Sequence, residues 1–156
     1  MTASPTEGSA APDFSLPVDG GGSVSLAGLK GRKVVLFFYP KADTPGCTQE
    51  SMDFSRLRPK FERSETTVIG VSADTVAAQD KFKAKHGLGV PLAADPDRQM
   101  IERYGVWVEK NMYGKKFMGV ERATFLIDSK GTIRKIWRKV KVEGHAEEVL
   151  DAAKAL

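Results

Sequence analysis

This chain of 156 residues has one cysteine, two histidines and no long apolar run. A single thiol excludes an intramolecular disulfide and any metal cage built on cysteines. No apolar stretch approaches the ~20 residues of a spanning helix. The opening segment, Met1 to Phe14, has no basic start and no apolar core of signal-peptide length. A cytoplasmic location without membrane attachment is therefore expected. No internal repeat is present, and no linker-like low-complexity segment follows the first residues. Lys and Arg exceed Asp and Glu by only 24 to 20, a net charge of +4. The densest basic stretch, Arg134 to Lys141, has no nucleic-acid motif beside it. It reads as an exposed strand with solvated charges, and no nucleic-acid partner is expected.

The apolar content, 41%, suffices for one core at this length. Residues 1–11 are expected to form a flexible tail and residues 12–156 a single domain. Asp13 to Leu16 and Val24 to Leu26 alternate weakly around Gly20-Gly21-Gly22, as in a short hairpin. Val34 to Tyr39 is apolar throughout, as in a central strand covered on both faces. A helix follows Pro45, and Pro59 is expected to kink or end it. Thr67 to Ser72 is the next strand. Asp74 or Thr75 can cap a helix that runs to His86 and stops at Gly87. Pro91 to Ala94 is a short strand, and Asp95-Pro96-Asp97 reads as a helix start ending near Gly105. Arg122 to Ile127 and Thr132 to Trp137 flank the turn Asp128 to Gly131. Ala146, Val149, Leu150 and Ala153 mark a last amphipathic helix. This order predicts an α/β protein with a thioredoxin-like three-layer fold: a central mixed β-sheet, helices on both faces and an N-terminal hairpin. No Cys-x-x-Cys is present, so dithiol chemistry is unavailable to it.

The lone thiol, Cys47, lies in FFYPKADTPGCTQE, where a buried strand hands over to a helix N-terminus. Peptide dipoles and free N–H groups there favour a thiolate. Three classes of thiol enzyme can be tested on the spacing. A cysteine phosphatase needs arginine six positions after the cysteine, and Asp53 stands there. A cysteine protease needs a histidine base, but His86 lies near one helix end and His145 starts another, so both read as surface or helix-end residues. A peroxidase needs a thiolate, donors that hold the peroxide and a cation, with no general base. Other readings of the same residues stay open. Cys47 could be a buried structural thiol, Thr44 a helix cap, Pro40 a strand end and Arg122 a solvated strand residue. Arg122 shares a strand face with Thr124 and Leu126, and alternation does not say which face meets Cys47.

Pro40-x-x-x-Thr44-x-x-Cys47 matches the signature pattern of the peroxiredoxins. ADTPGCTQE, with EKNMYGKKFMGVERATFLID downstream, resembles the bacterioferritin-comigratory-protein branch, also called peroxiredoxin Q, over roughly residues 11 to 155. The resemblance implies a thiol peroxidase for hydrogen peroxide and organic hydroperoxides, without metal, haem, flavin or other cofactor, and a monomeric protein is expected. Cys47 would be the peroxidatic cysteine. Thr44 would hydrogen-bond the peroxide, Pro40 shield the pocket and Arg122 supply the cation, with the backbone N–H groups of Gly46 and Cys47 as further donors. The family's resolving-cysteine positions are Met52 and Lys83 here, so a one-cysteine enzyme is expected. Its sulfenic acid would be reduced by an external thiol: thioredoxin, or glutaredoxin with glutathione. A peroxide sensor and a non-catalytic binding module are the rival classes.

Ionisation alone does not make such an enzyme. A thiol of pKa about 8.5 is a few per cent ionised at pH 7, and one of ~6 about 90% ionised. That gain is about thirtyfold, or ~2 kcal/mol, and lower nucleophilicity offsets part of it. The remainder has to come from donors that stabilise the breaking O–O bond.

Overall fold

A computed structural model describes residues 5–156. The chain runs β1 (Ser15–Pro17), β2 (Ser23–Ser25), β3 (Lys33–Phe38), α1 (Pro45–Arg63), β4 (Thr66–Ser72), α2 (Val76–His86), β5 (Leu92–Ala94), α3 (Gln99–Arg103), β6 (Trp107–Met112), β7 (Lys115–Val120), β8 (Ala123–Ile127), β9 (Ile133–Trp137) and α4 (His145–Lys154). The central sheet has the order β5-β4-β3-β8-β9. β3, β4 and β5 are parallel, and β8 and β9 are antiparallel to their neighbours. The sheet is thus mixed, as the element order predicts, and β1 and β2 form the expected hairpin.

Strand alternation divides the core in two. Val35, Phe37 and Tyr39 face one side and pack with Cys47, Phe54 and Phe61 of α1, Phe82 of α2, and Val149 and Leu150 of α4. Val34, Leu36 and Phe38 face the other, against Met100 and Ile101 of α3, Tyr104, and Leu16 and Leu26 of the N-terminal segment. Helices therefore cover both faces, giving three layers. Gly70 in β4 is a packing requirement: a Cβ there would lie 2.7 Å from Cζ of Phe37.

The structure differs locally from the expected elements in three places. Pro59 does not end α1, which continues to Arg63. Phe54, Leu57 and Phe61 are buried on both sides of the proline, and each such side chain contributes about 1.5–3 kcal/mol, enough to offset the lost N–H. Asp95-Pro96-Asp97 forms a turn ahead of α3 rather than its first turn. Asp95 still serves the helix, accepting from the N–H groups of Gln99 (3.0 Å) and Ile101 (2.9 Å). β6 and β7 form a two-stranded ribbon where the sequence reading assigned no element. Residues 1–4 of the expected tail lie outside the described residues. The Gly8 and Ala11 N–H groups donate to the carbonyls of Ile133 (2.7 Å) and Gly131 (2.9 Å), laying this segment along β9.

Candidate active site

Cys47 is the third residue of α1, after Thr44 at the N-cap and Pro45 at the first helical position. Proline has no N–H to leave unpaired there, and its fixed φ suits the first turn. The N–H groups that open a helix have no partners within it, so those of Gly46 and Cys47 are the donors at this end. Cys47 itself is 1% exposed.

The loop before it is held from three directions. The Ala42 N–H donates to Asp74 Oδ2 (2.8 Å). Asp43 accepts from Lys85 Nζ (2.9 Å) and meets His86 Nε2 at 2.9 Å, at the end of α2. These bonds to His86 and Lys85 hold the Asp43 carboxyl below its ordinary value. They also secure an unfavourable backbone, since Asp43 has φ 62°, a left-handed conformation that costs an ordinary residue about 1–2 kcal/mol. Thr44 stands at the N-cap but does not cap with its side chain. Its hydroxyl donates instead to the Lys41 carbonyl (2.8 Å). Pro40 is half-buried at the exit of β3. Neither Thr44 nor Pro40 hydrogen-bonds Cys47.

Arg122 does. It immediately precedes β8, and its parity puts it on the face of Thr124 and Leu126, the face that α1 covers. Backbone bonds fix its base: Val140 N–H donates to the Arg122 carbonyl (3.0 Å), and Glu121 N–H to the Val106 carbonyl (2.7 Å). Its Nη2 donates to Cys47 Sγ at 3.3 Å, and its Nη1 to Glu50 Oε1 at 2.7 Å. The guanidinium lies over the first turn of α1, where a Cβ on Gly46 would stand 3.1 Å from Nη2. Glycine at 46 is what allows this approach.

Glu50 escaped the sequence reading. It is 1% exposed, its Oε1 is bound to Arg122, and its Oε2 has no partner. Burial pushes its carboxyl up to about 7 against the pull of Arg122, with Asp53 adding to the rise. Burial acts to lower the Arg122 guanidinium, but the charges of Glu50 and Cys47 prevail and hold it above its ordinary value. One cation thus serves two potential anions, and each nitrogen of its fork is committed.

The two histidines part company. His86 is the helix-end residue expected. His145 also starts its helix, but it is buried, with Nε2 and Thr124 Oγ1 2.7 Å apart and its ring edge-on to Phe54 and Trp137. Burial, more than the nearby Arg122 charge, pushes it down to about 4, so it is a neutral structural ring rather than a base at pH 7. Among the described residues no three His, Cys, Asp or Glu side chains gather as metal ligands. The arrangement is a buried thiol at a helix N-terminus, with a fixed two-pronged cation and backbone donors beside it. It can hold a thiolate and the negative charge of a departing oxygen.

The chain is similar to known peroxiredoxins over most of its length. The AhpC/TSA family model matches residues 8–136. Peroxiredoxin Bcp of Xanthomonas campestris is 46% identical over 143 residues, covering 92% of this chain and 89% of its own. Peroxiredoxin Bcp of Bacillus subtilis is 45% identical over 147 residues, covering 94% of each. A solved structure of the Xanthomonas campestris bacterioferritin comigratory protein, studied for alkyl peroxide reduction, is 44% identical with a TM-score of 0.87, covering 91% of this chain and 90% of that one.

Proposed function

The chain belongs to the AhpC/TSA family and, within it, to the Bcp peroxiredoxins, and from that footing we propose that Cys47 is the sulfur that takes oxygen from the peroxide. The protein is a thiol peroxidase, with a peroxide and a thiol as its two reactants. The observation that carries the residue assignment is the 3.3 Å contact between Arg122 Nη2 and Cys47 Sγ in the first turn of α1.

The Cys47 thiolate attacks the peroxide oxygen that bears hydrogen. The O–O bond breaks and an S–O bond forms. Sulfur is oxidised to the sulfenic acid, and the departing oxygen leaves with the electron pair, takes a proton and becomes water or an alcohol. Arg122 and the N–H groups of Gly46 and Cys47 stabilise the charge as it develops. The Thr44 hydroxyl donates to the peroxide once turned from the Lys41 carbonyl, and Pro40 keeps water from the pocket. Hydrogen peroxide and organic hydroperoxides both fit this chemistry.

Met52 and Lys83 stand where relatives of this family carry a resolving cysteine, so the sulfenic acid is reduced by a thiol from outside. Thioredoxin, or glutaredoxin with glutathione, supplies it to a monomeric cytoplasmic enzyme. Residues 12–156 carry the whole activity as one domain. No helix among the described residues is long and apolar enough to cross a membrane. Peroxide consumption with thioredoxin, with glutaredoxin plus glutathione, and with glutathione alone tests this reading. Many turnovers per chain with at least one of them are expected. About one peroxide consumed per chain with every reductant would instead identify a sensor.

A further inference from the structure

The ribbon of β6 and β7 leads into the site: β7 ends at Val120, two residues before Arg122. Register pairs Val108 with Gly119 and Lys110 with Phe117, so these four residues share a face. Glu121 continues that face past Gly119, and Arg122 follows it. A side chain that leaves position 110 and crosses Gly119 therefore runs toward the base of the ribbon, where Arg122 begins. Lys110 takes this course: a Cβ on residue 119 would lie 3.2 Å from its Cδ and 3.4 Å from its Cε. The lysine stem rests on the bare glycine backbone.

Lys110 is half-buried and forms no ion pair among the described residues. Glu109, on the opposite face, meets Lys116 at 3.9 Å, and Glu121 meets Arg138 at 3.5 Å. Burial first, and then the Arg122 charge, hold the Lys110 ammonium below the ordinary lysine value, while Cys47 and Glu121 act in the other direction. The two like charges repel each other unless an anion lies with them. Cys47 supplies that anion as thiolate, and the departing oxygen supplies it during reaction.

We propose that Lys110 is the second cation of the peroxidase site: carried across Gly119, its ammonium acts with Arg122 to hold negative charge at Cys47. It acts through its field rather than by touching the sulfur, and so is a positioning residue. The proposal rests on Cys47 being the reacting sulfur.

Stopped-flow reaction of the reduced protein with hydrogen peroxide, together with thiolate absorbance at neutral pH, tests it. Lys110→Gln should react about three- to tenfold more slowly and show less thiolate, the size expected of one charge acting across a partly solvated gap. Lys110→Arg should stay within about twofold of the parent because the charge is kept. Gly119→Val should slow the parent by displacing the lysine stem, yet change nothing further in a Lys110→Ala background. Unchanged rate and thiolate in Lys110→Gln would overturn the proposal, as would a Gly119→Val effect that persists without the lysine. The same series separates the two claims. If the parent consumes no peroxide, or Cys47→Ser still does, the Cys47 reading fails and Lys110 falls with it. An active parent with indifferent Lys110 variants defeats the Lys110 proposal alone.

Discussion

At the scale of single residues, the site turns on how Arg122 divides its fork. Nη1 goes to Glu50 and Nη2 to Cys47, a two-pronged arrangement that a lysine cannot copy. Arg122→Ala should slow reaction with peroxide by about 10²-fold, the usual scale for losing one preorganised donor. The loss should persist at a pH where the thiol is fully ionised, because the guanidinium also serves the departing oxygen. Arg122→Lys should recover only part of the rate. Glu50→Ala, which leaves the guanidinium but frees its other end, should reproduce part of the loss. Stopped-flow rates across pH decide this, and full activity in Arg122→Ala would place the residue outside the chemistry. Cys47 was legible in the sequence because proline, threonine and glycine fix its surroundings at short range, whereas Arg122, 75 residues further along the chain, came only through the family resemblance. Glu50 was not. A glutamate near the start of a helix is ordinarily a solvated partner of the helix dipole, and its burial emerges only when α1 docks against β8. His145 opens its helix as expected, but its burial was hidden for the same reason: a helix-opening histidine is exposed unless a strand such as β8 places a Thr124 beneath it.

Among the elements, the strands and helices with a strong period or a cap were readable, and those without were not. Thr75 caps α2 as foreseen, its hydroxyl accepting from the Ala78 N–H (3.2 Å), and Gly87 ends it at φ 60°. The β6–β7 ribbon carries its turn on Tyr113 (φ 53°) and Gly114 (φ 78°). Two successive left-handed residues make a type I′ turn, but a tyrosine in the first of them hides the usual Asn-Gly signal. α2 also bears on catalysis. Lys83, which the family resemblance aligns with a resolving position, pairs with Asp19 at 2.7 Å. Lys83→Cys should break that pair and introduce an internal thiol. Because a disulfide requires Cα atoms about 4.4–6.8 Å apart, the first turn of α1 and the end of α2 would have to unwind locally. A 47–83 disulfide is expected after one equivalent of peroxide, with less over-oxidation of Cys47 to the sulfinic acid. Peptide mapping and intact mass read both. A variant that forms no internal disulfide and over-oxidises like the parent would contradict this view of α2.

For the whole molecule, the order of elements was enough to predict a mixed sheet between helical layers. It could not say which strand face would meet the thiol, since alternation is blind to which side each helix crosses. The same layering buries His145 between β8, α1 and β9, and that has a consequence for stability. An unfolded histidine takes a proton near pH 6.5, whereas the folded one resists until about 4. The stabilisation is therefore complete above ~6.5 and is lost as pH falls toward 4, by up to about 3 kcal/mol. Urea unfolding at pH 7.5, 6 and 5 should show a shallower acid loss in His145→Asn, which does not titrate, than in the parent. Parallel curves would mean that the ring is not held neutral.

The central claim is that Cys47, under the Arg122 guanidinium, gives its electrons to the peroxide. Intact-mass spectrometry of the reduced protein after one equivalent of hydrogen peroxide tests it most directly, with peroxide consumption followed in parallel and Cys47→Ser as the companion. The account predicts one added oxygen, mapped to Cys47, with one peroxide consumed per chain, and neither change in Cys47→Ser. An unmodified Cys47 in the parent, or continued peroxide turnover in Cys47→Ser, would contradict it.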